Sequence, residues 1–96
     1  MYSKPKIYNL VMASNATEYS QAIAEKSVKK IVIRSRGIND MLLAYASGET
    51  ATAYWTIAAG SSWAIDSVWL RTPTLYLKSA GNNDTAEIMI FSDYAA

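Results

Sequence analysis

Val28-Lys29-Lys30-Ile31-Val32-Ile33-Arg34-Ser35-Arg36 is the stretch that decides the fold class of this chain. On an extended backbone Ile31 and Ile33 fall on one side, and Lys30, Arg34 and Arg36 on the other. Successive side chains leave a strand on opposite faces, so β-branched residues with a two-residue period describe a half-buried strand. A strand is therefore predicted over 28–36.

The same rhythm continues in both directions. Residues 6–13 set Tyr8, Leu10 and Met12 against Ile7 and Val11, and Ser14-Asn15-Ala16-Thr17 then reads as a turn. The segment 18–24 carries two readings. Its Ala, Glu and Gln content suits a helix capped by Ser14 or Asn15, whereas the alternation of Tyr19, Gln21 and Ile23 suits a strand. We take the strand, returning as a hairpin onto 6–13. Gly37-Ile38-Asn39-Asp40 breaks the chain before a strand over 41–46, which Ser47-Gly48-Glu49-Thr50 ends. A short run follows at 53–57, and Ala59-Gly60-Ser61-Ser62 turns into 63–70.

Thr72-Pro73 marks the next break, because proline cannot donate to a central ladder. Residues 74–79 place Leu75 and Leu77 inward, Tyr76 and Lys78 outward. Ala80-Gly81-Asn82-Asn83-Asp84 is the strongest turn signal, and 85–91 sets Ala86, Ile88 and Ile90 against Glu87, Met89 and Phe91. Seven or eight short strands divided by turns predict an all-β fold, a small antiparallel β-sandwich of jelly-roll-like type. It is expected as a single domain over 1–96, with flexible ends at 1–5 and 94–96.

A chain of 96 residues has room for one core and hides only about two-thirds of the surface its unfolded form exposes. Cysteine and histidine are both absent. That removes disulfides, thiolate nucleophiles, the usual zinc ligands and the commonest general base, so neither catalytic residues, nor a metal, nor a cofactor is expected. The net charge is +1, with both signs spread along the chain. Neither nucleic acid nor an anionic membrane is expected as a partner. No apolar run approaches the roughly 20 residues that span a bilayer, and the start of the chain lacks a secretory pattern. Synthesis in the cytoplasm without secretion follows as an expectation, and it leaves the sequons at Asn15 and Asn83 without meaning.

Apolar side chains are more numerous than one core can hide. Met41, Leu43 and Tyr45 stand opposite Leu42, Ala44 and Ala46; Trp55 and Ile57 lie beside Tyr54; Trp69 lies between Val68 and Leu70; Met89 and Phe91 alternate with Ile88 and Ile90. A two-layer sandwich buries one face of each sheet. Each large side chain buried rather than exposed is worth roughly 1.5–3 kcal/mol, so the surplus favours association, with Tyr54, Trp55, Trp69, Tyr76, Met89 and Phe91 as the candidate interface. Loops folding over these residues are the alternative.

Other clusters have plainer readings. The eight carboxylates fall mostly in or beside turns, where they bond local amides, and nothing pairs them for hydrolysis. Asn82, Asn83 and Asp84 lack the ligand spacing of a calcium loop. Lys30, Arg34 and Arg36, with Arg71 near by, form a basic row that reads as a solvated outer face. Trp55, Trp63 and Trp69 with Tyr45, Tyr54 and Tyr76 admit a sugar-binding platform beside the reading as core or interface.

One order of elements is familiar. Lys29 to Gly37 forms a basic strand ending in Arg36-Gly37, and Ala44-Tyr45-Ala46-Ser47-Gly48 closes an apolar strand. Tyr54-Trp55-Thr56-Ile57-Ala58-Ala59-Gly60-Ser61-Ser62 is an aromatic strand with a Gly-Ser turn. Leu75-Tyr76-Leu77-Lys78-Ser79 then precedes a terminal strand with Ala86-Glu87-Ile88. From about Asn9 to Phe91 this order resembles small proteins of similar length encoded in tailed-bacteriophage genomes, often near virion genes. The resemblance implies a non-enzymatic virion structural protein such as a capsid decoration, head-fibre or neck and tail accessory subunit. It implies a homo-oligomer or docking on other virion proteins, and a place in the virion; it supplies no catalytic residue. The reading from a different class is a carbohydrate-binding or host-adhesion module that uses exposed aromatics, with a glycan as ligand.

Overall fold

Period-two alternation, β-branched residues and closely spaced turn formers leave the backbone one way to satisfy its hydrogen bonds, which is strand pairing. The computed structural model describes residues 4–70 and 73–92, for 66–70 the backbone alone. It contains β1 (Lys6–Met12), β2 (Tyr19–Ala22), β3 (Val28–Ser35), β4 (Met41–Ala44), a 3₁₀ turn (Glu49–Ala51), β5 (Trp55–Ile57), β6 (Ser62–Leu70), β7 (Thr74–Ser79) and β8 (Asp84–Ser92). The ends at 1–3 and 94–96, Arg71 and the side chain of Trp69 lie outside the described residues.

Two four-stranded antiparallel sheets form, in the orders β1-β8-β3-β6 and β2-β7-β4-β5. The pairs β1/β8, β2/β7, β3/β6 and β4/β5 nest inside one another. The chain is thus one long hairpin with its tip at β4–β5, rolled so that β8 also pairs with β3 and β7 with β4. This is the jelly-roll arrangement. The sandwich is as the alternation predicts, but the expected hairpin of 18–24 onto β1 does not form. Every connection except β4–β5 crosses from one sheet to the other, so β2 pairs with β7 instead, Tyr19 opposite Leu77 and Gln21 opposite Leu75. Alternation fixes the face a residue takes and says nothing of which strand lies beside it. The strands expected over 41–46 and 53–57 are also shorter, because residues 45–54 form a loop around the 3₁₀ turn.

The core lies between the sheets. Met12, Ile31, Ile33, Ala86, Ile88 and Ile90 come from one sheet and Met41, Leu43, Ile57, Leu75 and Leu77 from the other, joined by Ile23 and Val28. Tyr8, Leu10, Tyr19, Trp63 and Ile65 pack around them. At one end, Asp84 is buried, and its carboxylate accepts hydrogen bonds from the Ser79 hydroxyl and, at 3.0 Å, from the Asn39 amide. A Cβ on Gly37 would overlap that carboxylate, and one on Gly81 would overlap Asn39. The turn residues thus organise the loops at this end of the sandwich; among the described residues no three His, Cys, Asp or Glu side chains come together.

Ile88 and Val11 test the assignment of faces. Ile88→Ala empties a fully buried position and should cost roughly 2–5 kcal/mol, while Val11→Ala, outward and 62% exposed, should stay within about 0.5 kcal/mol. Urea denaturation of the two variants checks this.

Candidate functional site

Turning core residues inward leaves two outer faces and the sandwich edges to meet the surroundings. On the outer face of β1-β8-β3-β6, register aligns Ile7, Met89, Val32 and Ala64 in a row across all four strands. Ile7 is 56% exposed. A shallow depression of about 290 Å³ lies along this row, bounded by Arg34 and Glu87. One row further along, Asn9, Glu87, Arg34 and Ser62 align, and beyond them Val11 is exposed. On the other side Phe91 pairs with Lys30, whose ammonium sits 5.7 Å from the ring centroid.

The basic row Lys30, Arg34 and Arg36 does share this face, and its two arginines converge on Glu87. Arg34 Nε donates to Glu87 Oε1 at 2.7 Å, and Arg36 Nη2 to Glu87 Oε2 at 3.0 Å and to Asn9 Oδ1 at 3.2 Å. Arg34 first, then Arg36, holds the Glu87 carboxyl below its ordinary range. Exposed pairs of this kind contribute little to stability, because water screens them. Their larger effect is to fix the polar border of the apolar row.

The outer face of β2-β7-β4-β5 is built differently. Tyr19 packs against the core, so alternation turns Glu18 and Ser20 outward. The Glu18 carboxylate accepts hydrogen bonds from Gly48 N–H at 2.9 Å, Thr50 N–H at 3.3 Å and the Thr50 hydroxyl at 2.5 Å. The loop 45–54 is thereby pinned against β4 and β7, with Thr50 buried and Ala44, an outward position, only 3% exposed. Part of the apolar surplus is therefore covered by the chain itself. Beyond the loop a depression of about 350 Å³ remains, with Leu42, Thr56 and Lys78 aligned across β4, β5 and β7, Tyr54 on the loop side and Asp40 and Asn15 at the turns.

The open edge between the sheets holds a third feature. Trp55 on β5 shares the core register with Leu43, yet is 60% exposed, and its ring lies 6.4 Å from that of Trp63 on β6. The candidate interface residues are thus not one patch. Met89 and Phe91 are outward on one sheet, Tyr54 and Tyr76 outward on the other, Trp55 at the edge, and the Trp69 side chain outside the described residues. The carboxylates are similarly dispersed: Asp40 accepts Ala59 N–H at 2.7 Å and Glu25 accepts the Tyr8 hydroxyl at 2.8 Å.

Sequence reasoning missed the grouping of Asp40, Thr56, Lys78 and Asn15, and the role of Glu18. The outward alternation of Lys78 was readable, but its neighbours depend on β7 lying beside β4, which no local signal carries. No protein family, curated protein or solved structure matches this chain.

Glu18 is held below its ordinary value of 4.5, first by the Gly48 amide and then by the Thr50 hydroxyl, with Lys78 adding attraction and burial opposing. A lowered folded value means that the stabilisation is complete above the ordinary carboxyl range and fades as pH falls through the folded value. Glu18→Gln should lower the melting temperature near neutral pH, with the gap to the parent closing in acid. Its Gly48 and Thr50 amides should also exchange hydrogen faster. A gap that does not vary with pH would contradict the pinning.

Proposed function

We propose that this chain is a non-enzymatic structural protein of a bacteriophage virion. It self-associates or docks on neighbouring virion subunits through the outer face of β1-β8-β3-β6. The observation that carries the reading is the outward row of exposed Ile7 and half-buried Met89 and Val32, with exposed Val11 and half-buried Phe91 around it, bordered by the Arg34–Glu87–Arg36 cluster. A water-exposed apolar centre with a hydrogen-bonded polar rim is the anatomy of a protein interface. Val11 and Ile7 also lie on an edge strand, whose unpaired backbone groups add to the incentive for association.

The absence of histidine and cysteine supports the non-enzymatic part. So does the use of Glu18, Asp40, Asp84 and Glu87 in loop and rim bonds. The virion itself rests on the resemblance in strand order alone. A capsid decoration, head-fibre or neck and tail accessory subunit would each use such a face.

Size-exclusion chromatography with light scattering tests the face. Phe91→Ser and Ile7→Asp should each shift the protein toward monomer, while circular dichroism and the melting temperature stay close to the parent, because both side chains point outward. Loss of folding in Phe91→Ser would place the ring in the core and refute the assignment. A parent protein that stays monomeric and binds no phage particle would count against the function.

A further inference from the structure

The depression on the outer face of β4, β5 and β7 has a chemistry different from the apolar row on the opposite sheet. Its volume of about 350 Å³ falls in the range of small-ligand sites, roughly 300–1,000 Å³. Leu42 supplies an apolar floor, and Tyr54, 51% exposed, supplies an aromatic wall. Around them stand one cation, Lys78, one carboxylate, Asp40, the Thr56 hydroxyl and the Asn15 amide. Asp40 accepts the Ala59 amide hydrogen at Oδ1, which helps to fix the carboxylate. The Lys78 ammonium makes no hydrogen bond or ion pair among the described residues; Glu18 bears on it only through its field.

This set discriminates among ligands. A phosphate drawn by Lys78 would meet Asp40, and a cation drawn by Asp40 would meet Lys78. A wholly apolar ligand would strip water from both charges without replacing their hydrogen bonds, which is costly. A neutral pyranose fits: its C–H face lies against an aromatic ring and Leu42, while its hydroxyls both donate to Asp40 and accept from Lys78.

We infer that this depression is a glycan-binding site, in which Tyr54 stacks on a neutral sugar ring held by Asp40 and Lys78. It lies on the sheet opposite the Ile7–Met89 row, so a subunit anchored by one face can present the other. The two readings fail independently.

Titration of the isotope-labelled protein with glucose, galactose, mannose, N-acetylglucosamine and their disaccharides, followed by amide NMR, tests the site. At least one sugar should give saturable shifts centred on Leu42, Tyr54, Thr56 and Lys78. Tyr54→Ala should weaken that binding about tenfold, with Tyr54→Phe retaining it because the ring carries the contact. Lys78→Met should weaken it as well. The inference is overturned if no sugar gives saturable shifts, if Tyr54→Ala binds as tightly as the parent, or if inorganic phosphate produces the same shifts.

Discussion

A rolled hairpin of eight strands can hide only one face of each of its two sheets, and every other feature of this protein answers to that limit. The inner faces supply a core of isoleucine, leucine, methionine and valine, closed at one end by the Asp84 cluster. The outer faces receive what remains, which includes several large apolar side chains. A small domain gains little margin from one core, so how these outward residues are covered bears directly on stability as well as on function.

The two outer faces meet this differently. On β2-β7-β4-β5, one carboxylate at Glu18 draws the 45–54 loop down and buries Thr50 and Ala44. Without it the loop would lose its anchor, and the wall that Tyr54 lends to the neighbouring depression would go with it. On β1-β8-β3-β6 no such loop is present among the described residues. There the polar residues organise themselves around Glu87, and the apolar row beside them stays open to water at Ile7 and partly so at Met89 and Val32. The difference begins in connectivity: β4–β5 is the one connection that stays within a sheet, so its loop can lie back across the face it leaves.

Much of this was legible in the sequence. Alternation gave the facing of Ile31 against Arg34, Leu75 against Tyr76 and Ile88 against Met89, because side-chain direction in a strand is local. The turns at 14–17, 37–40 and 80–83 were marked by residues that tolerate turn geometry, Asn83 with φ of 60° among them. What the sequence could not convey was adjacency. The partner of β2, the meeting of Trp55 with Trp63 at the open edge, and the gathering of Asp40, Thr56 and Lys78 all depend on pairings between distant segments. For that reason the aromatic residues could be named as outward or surplus from sequence, but not divided among three separate surfaces.

The central claim is that the Ile7–Met89–Val32 row, open to water at Ile7 and partly so at Met89 and Val32 in the single subunit, becomes covered on assembly. Methyl NMR with a soluble paramagnetic probe reads this directly, comparing dilute protein with the assembled form. The account requires the Ile7 methyl signals to be strongly broadened and those of Val32 and Met89 partly so in the dilute subunit, all three to be shielded on assembly, and core methyls such as Ile88 to be unaffected in both. Row methyls that remain equally accessible in an assembled particle would contradict it.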